Sequence, residues 1–145
     1  MTRPTLIKQN SYPQRSAPLT DLPFVVDVKI APRKKKLSFW HVAPTDSYNR
    51  AHDVGRQYAA DFAQYLKQNP NSVGFGMLGC IIDDMVKIGD DSDMKGYAAG
   101  FLAFVEQLLF AAANSTNHYA LAETLAYREA IWAEAYDMLA KEGGK

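Results

Sequence analysis

The side chains able to do chemistry fall into two blocks of opposite sign. Arg33, Lys34, Lys35 and Lys36 form a basic run, followed closely by Phe39, Trp40 and His41. Cations neutralise phosphates and exposed rings stack on bases. Arg33 to Lys36 with Trp40 and His41 are therefore the candidate contact for nucleic acid or an acidic partner. The second block is acidic. Asp83, Asp84, Asp90, Asp91 and Asp93 stand within eleven residues, against Lys87 alone. Of these, Asp84, Asp90, Asp91 and Asp93 form a candidate surface for a basic partner. Arg128 falls on an apolar helical stripe between Leu125 and Trp132, with Glu129 adjacent. A cation on such a stripe requires a counter-charge, so Asp83, Arg128 and Glu129 are a candidate buried ion pair.

Other patterns fail on chemical grounds. Gly74-Phe75-Gly76-Met77-Leu78-Gly79 matches G-x-G-x-x-G. It follows the turn-like Asn69-Pro70-Asn71-Ser72 rather than a buried strand, so close helix packing explains it better than a dinucleotide. Asp91-Ser92-Asp93-Met94-Lys95 opens like a calcium loop, but Lys95 occupies a ligand position and Leu102 stands where a bidentate Glu belongs. His41, His52 and His118 have no second ligand at metal spacing. Cys80, within Leu78-Gly79-Cys80-Ile81-Ile82, reads as a buried structural thiol. Asp83, Asp84 and Arg128 could form a polar catalytic site, but no nucleophile or orienting third group accompanies them. The sequence thus argues against an enzyme and calls for no cofactor and no metal.

The 145 residues carry 16 Lys+Arg and 16 Asp+Glu, a net charge of zero. That total hides an asymmetry. Residues 1–36 hold eight bases and two acids, +6; residues 37–145 hold eight bases and fourteen acids, −6. The composition, 48% hydrophobic with a single Cys, is that of a folded domain held by its core and not by disulfides. The N-terminal residues contain no apolar h-region and no uninterrupted apolar run approaches 18 residues, so a cytoplasmic protein without membrane association is expected.

These blocks must be positioned by a small set of elements. Pro4, Pro13, Pro18 and Pro23 mark residues 1–23 as an extended basic arm. Residues 24–145 read as one globular domain. In Phe24–Ile30 the alternation of Val26, Val28 and Ile30 with Asp27 and Lys29 predicts a half-buried strand. Leu37–Val42 predicts a second, making a β-hairpin over 24–42 with Arg33–Lys36 in its loop and at least one of Phe39 and Trp40 facing the core. Residues 45–142 read as four helices. The first is amphipathic from a cap among Thr45, Asp46 and Ser47 to Asn69-Pro70. The second, about Val73 to Ile88, is apolar nearly all round and expected to be central, with Gly76, Cys80 and Asp83 as its close-packing stripe. The third is capped by Asp91 or Ser92 and ends at Asn114–Asn117. The fourth runs from about His118 to Lys141 with a stripe of Leu121, Leu125, Trp132, Ala135 and Leu139, closed by Gly143-Gly144. The expected fold is mainly α (α+β): a four-helix bundle-like domain with an N-terminal β-hairpin and an extended proline-containing arm.

Function follows by elimination and charge. The expectation is a small, non-enzymatic helical interaction protein of regulatory or inhibitor type, binding a partner protein. The alternative is a nucleic-acid-binding protein that uses the arm and hairpin loop. Tyr119, Tyr127 and Tyr136 lie outside one narrow stripe of the fourth helix, which is compatible with a homo-oligomer.

Overall fold

A computed structural model describes residues 17–88 and 93–143. The arm before Ala17, the acidic pair Asp90 and Asp91 and the cap residue Ser92 lie outside them. The described chain is mainly helical with an N-terminal antiparallel hairpin, the fold class expected from patterning. Strands β1 (Val26–Ala31) and β2 (Lys34–Ser38) are followed by α1 (Tyr48–Gln68), α2 (Met77–Val86), α3 (Lys95–Ser115) and α4 (His118–Glu142). The chain divides into two compact units, residues 1–104 and residues 105–145, and α3 runs through the boundary.

The first unit is built on an aromatic cluster. Phe24 is fully buried and Trp40 is 5% exposed; their ring centroids are 5.4 Å apart. Phe101 of α3 meets both, at 5.8 and 5.4 Å, in edge-to-face geometry, and Tyr58 of α1 lies 5.3 Å from Phe24. Such tilted contacts oppose ring edge to ring face and add to the burial energy. Burial is the leading cause that raises the Tyr58 phenol above its usual pKa, reinforced by Tyr97 and Asp61. Of the neighbours Phe39 and Trp40, Trp40 is the one that faces inward; Phe39 is half-buried.

Helix α1 forms as its pattern requires. Ser47 is the cap, its side chain accepting from the Arg50 N–H, and Ala51, Gly55, Ala59, Phe62 and Tyr65 form one buried stripe. The stripe is unusually small near the N-terminus because α3 crosses it there. A Cβ on Gly55 would collide with the Tyr97 carbonyl, one on Gly100 with the His52 carbonyl, and one on Gly96 with the Tyr48 carbonyl. Glycine is required at these three positions for close approach of two backbones. The Tyr97 hydroxyl donates to the Ala43 carbonyl at 2.9 Å, tying the strand-to-helix connection to α3.

Helix α2 departs from expectation. Only Met77, Ile81 and Met85, four apart, are buried; Val73, Phe75, Ile82 and Val86 are exposed. The helix covers the core with one stripe rather than running through its centre. Its glycines do not serve close packing either. Gly74 and Gly76 have φ of +97° and +75°, the left-handed region where side chains are disfavoured, and Gly79 faces open space. Cys80 is exposed rather than buried, because it lies off the Met77–Ile81–Met85 stripe.

Candidate functional site

The hairpin begins with its register. Val26 pairs with Ser38, Asp27 with Leu37, Val28 with Lys36, Lys29 with Lys35 and Ala31 with Lys34, with a bulge between Lys29 and Ala31. The turn is Pro32-Arg33. Lys34, Lys35 and Lys36 therefore belong to β2 and not to a loop, and Phe39 to Val42 lie beyond the strand. The tight turn shifts the second strand toward the N-terminus of the run anticipated for it. The expected half-burial of β1 also fails at its distal end, where Val28 and Ile30 are 42% and 53% exposed.

Arg33, Lys34, Lys35, Lys36 and His41 are all exposed, so the basic part of the predicted contact is accessible. Trp40 is not: its ring is committed to Phe24 and Phe101, which removes it as a stacking surface. Lys29 stands directly opposite Lys35, and like charges in that position destabilise a two-stranded ladder. Among the described residues none of Lys29, Arg33, Lys34, Lys35 and Lys36 forms an ion pair.

The acidic block is partly neutralised within itself. Asp83 and Asp84 approach Lys87 at 3.0 and 3.3 Å, and the hydrogen bonds that the Lys87 ammonium donates to Asp83 and then Asp84 raise its pKa. Asp84 has a second role: its Oδ2 accepts the Phe39 N–H at 2.8 Å, pinning the strand exit to α2. Beside this pin, Val28, Ile30, Lys36 and Ile88 line a cleft of about 310 Å³. Asp84 is thus a structural anchor as much as an acidic surface. Changing Asp84→Ala is expected to cost about 1.5–3 kcal/mol, the range for a hydrogen bond to a charged group, measured by urea denaturation; Asp83→Ala, which removes only an exposed pair, should change stability by under about 0.5 kcal/mol. Asp93 is half-buried at the approach to α3.

Asp83, Arg128 and Glu129, the candidate buried ion pair, fall in different units: Asp83 in the first, Arg128 and Glu129 in the second. All three residues are exposed and Asp83 is paired with Lys87. The stripe that carries Arg128 faces solvent, so the cation needs no buried counter-charge. Among the described residues, no group of three or more His, Cys, Asp or Glu converges as a metal site.

What sequence reasoning missed is the extent of apolar exposure in the second unit. Asn117 caps α4 by accepting from the Ala120 N–H, yet no residue of this 25-residue helix is buried. Phe110, Tyr119, Tyr127, Trp132 and Tyr136 are each 66–77% exposed. At about 150–250 Å² per ring these five present about 500–850 Å², distributed around the segment and not on one face. Leu109 and Phe110 near the end of α3, with Leu121 of α4, line a cleft of about 850 Å³. The available signal was the width of the apolar surface on α4, where Tyr127, Ile131 and Met138 form a second stripe beside the first. Helix α3 reaches a mean hydropathy of 1.4 over 18 residues, enough by length and composition to cross a membrane although its uninterrupted apolar runs are short. Its first half nonetheless buries Gly96, Tyr97, Gly100 and Phe101 in protein. Compared with family models, curated proteins and solved structures, the chain matches none.

Proposed function

We propose that this chain is a non-enzymatic interaction protein that binds a protein partner through the exposed helical segment of residues 105–143. One observation carries the reading: α4 exposes apolar and aromatic side chains along its whole length and buries none. Contiguous apolar patches beyond a few hundred Å² mark interaction surfaces in soluble proteins. Trp and Tyr are also the residue types that dominate binding energy at protein interfaces. A photo-crosslinking amino acid placed at Trp132 in the full chain, in its native cells, is expected to yield a discrete protein adduct. The same group at Arg50, on the exposed side of α1, should yield none. No adduct from position 132, or equal labelling from both, would overturn the reading.

A second reading rests on a different surface. The Lys29–Lys35 opposition is a cost that an anionic ligand relieves, and a two-stranded ribbon fits the major groove of a duplex. With Trp40 buried, contact is through phosphates and not through base stacking. Binding to a short DNA duplex, followed by fluorescence anisotropy, is expected to fall with a log–log salt slope of about −4, as for four or five phosphates neutralised. Charge reversal at Lys34, Lys35 and Lys36 should reduce affinity at least about a hundredfold. Salt-independent binding, or binding untouched by the reversal, would exclude this use of the ribbon.

A further inference from the structure

The stripe on α4 is close to complementary to its own reverse. Leu121, Leu125, Arg128, Trp132, Ala135 and Leu139 alternate spacings of four and three, the seam of a heptad pattern. Laid antiparallel on a second copy about a midpoint at Ala130, Arg128 falls opposite Trp132, Leu125 opposite Ala135 and Leu121 opposite Leu139. Each pairing suits the side chains involved. A guanidinium stacks on an indole face. A large residue meets a small one, so the layer fills without overpacking, and two leucines close each end. Beyond them, His118 and Glu142 come together with complementary hydrogen-bonding groups. All six seam residues are exposed, with Leu121 and Leu125 at 48% and 46% and Trp132 and Leu139 at 66% and 65%.

Resting on the interaction reading above, we infer that the partner is a second copy of this chain, joined by antiparallel pairing of α4 about a two-fold axis. A two-fold contact uses the same patch on both chains, so each stripe must be complementary to its own reverse, as this one is. The cleft beside Leu121 supports the same direction. Antiparallel pairing brings the second copy's Leu139 to Leu121, beside the open cleft of about 850 Å³ that Leu109 and Phe110 also line. The arrangement also accounts for the place of Arg128 on an apolar stripe, where an indole supplied from the other copy would cover it.

The test uses the full chain in a Cys80→Ser background, which removes the exposed native thiol. Sedimentation is expected to give twice the 16.1 kDa chain mass. Chains carrying Leu125→Cys, mixed with chains carrying Ala135→Cys, should form a disulfide-linked dimer on mild oxidation. Neither variant alone should do so, because antiparallel pairing sets the two copies of one position about 15 Å apart along the helix. Arg128→Glu should weaken association about tenfold with an unchanged far-UV circular dichroism spectrum, since Arg128 is exposed within its own chain. Cross-linking within Leu125→Cys alone would establish a parallel pair and overturn the inference. So would a monomeric chain. A monomer that still binds a hydrophobic dye at residues 105–143 leaves the interaction reading standing for a different protein; a monomer that binds none overturns both.

Discussion

Replacing Gly100 with alanine is expected to destabilise the first unit by about 3 kcal/mol or more. The new methyl group would fall on the His52 carbonyl oxygen, which is backbone and cannot rotate away. Overpacking a well-packed site ordinarily costs 1–3 kcal/mol, and the upper end applies when a helix axis must move. Gly55→Ala is expected to behave alike, because its methyl group would meet the Tyr97 carbonyl of the same crossing. Gly79→Ala is the internal control. It lies inside α2 with open space around it, so alanine should stabilise by about 0.5–1 kcal/mol through helix propensity alone. Chemical denaturation of the three variants separates the two meanings of glycine. Equal effects at Gly79 and Gly100 would refute the α1–α3 crossing.

Trp40→Ala should cost about 3–5 kcal/mol, the range for removing a large buried aromatic. Trp40 joins the end of the hairpin to α1 and α3 through Tyr58 and Phe101, so its loss opens a cavity at the centre of the aromatic cluster. That is a large fraction of the 5–15 kcal/mol that holds a typical domain together. Trp132→Ala, on the exposed face of α4, should leave the stability of a monomeric chain within about 0.5 kcal/mol. Since these are the only two tryptophans, emission resolves them. Trp132→Phe should leave a blue-shifted, quencher-protected spectrum from Trp40, and a protein in which the surviving tryptophan is fully quenched would contradict the core described above.

Local patterns in the chain reported local structure well. Helix α1 was legible from Ser47 to Asn69 because a cap, a three-four apolar period and a following proline all agree. The hairpin was legible from the alternation of β1, but its register was not. A two-residue turn at Pro32-Arg33 placed the basic run in a strand, and nothing in Arg33–Lys36 distinguishes a loop of four from a strand that starts one residue later. Gly96-Tyr97-Ala98-Ala99-Gly100 repeats a glycine at a spacing of four and was the available sign of a close crossing. In the glycine pattern at Gly74–Gly79, by contrast, two of the glycines serve positive φ.

The pairing of distant groups shows the same division. Asp83, Arg128 and Glu129 are related in the sequence only by charge, and charge has no direction along a chain. Asp84, four residues from Ile88 and 45 from Phe39, became a hydrogen-bond acceptor for a strand exit because folding brought a backbone N–H within 2.8 Å. Residue types and their periods by themselves determined the mainly helical class, the caps at Ser47 and Asn117, the hairpin and the separation of a basic segment from an acidic remainder. Tertiary structure alone decided which tryptophan is core, which glycines are crossings, and that the α4 stripe faces solvent. Periodicity names the apolar face of a helix, but whether that face is covered depends on surfaces supplied by other parts of the chain, or by another chain.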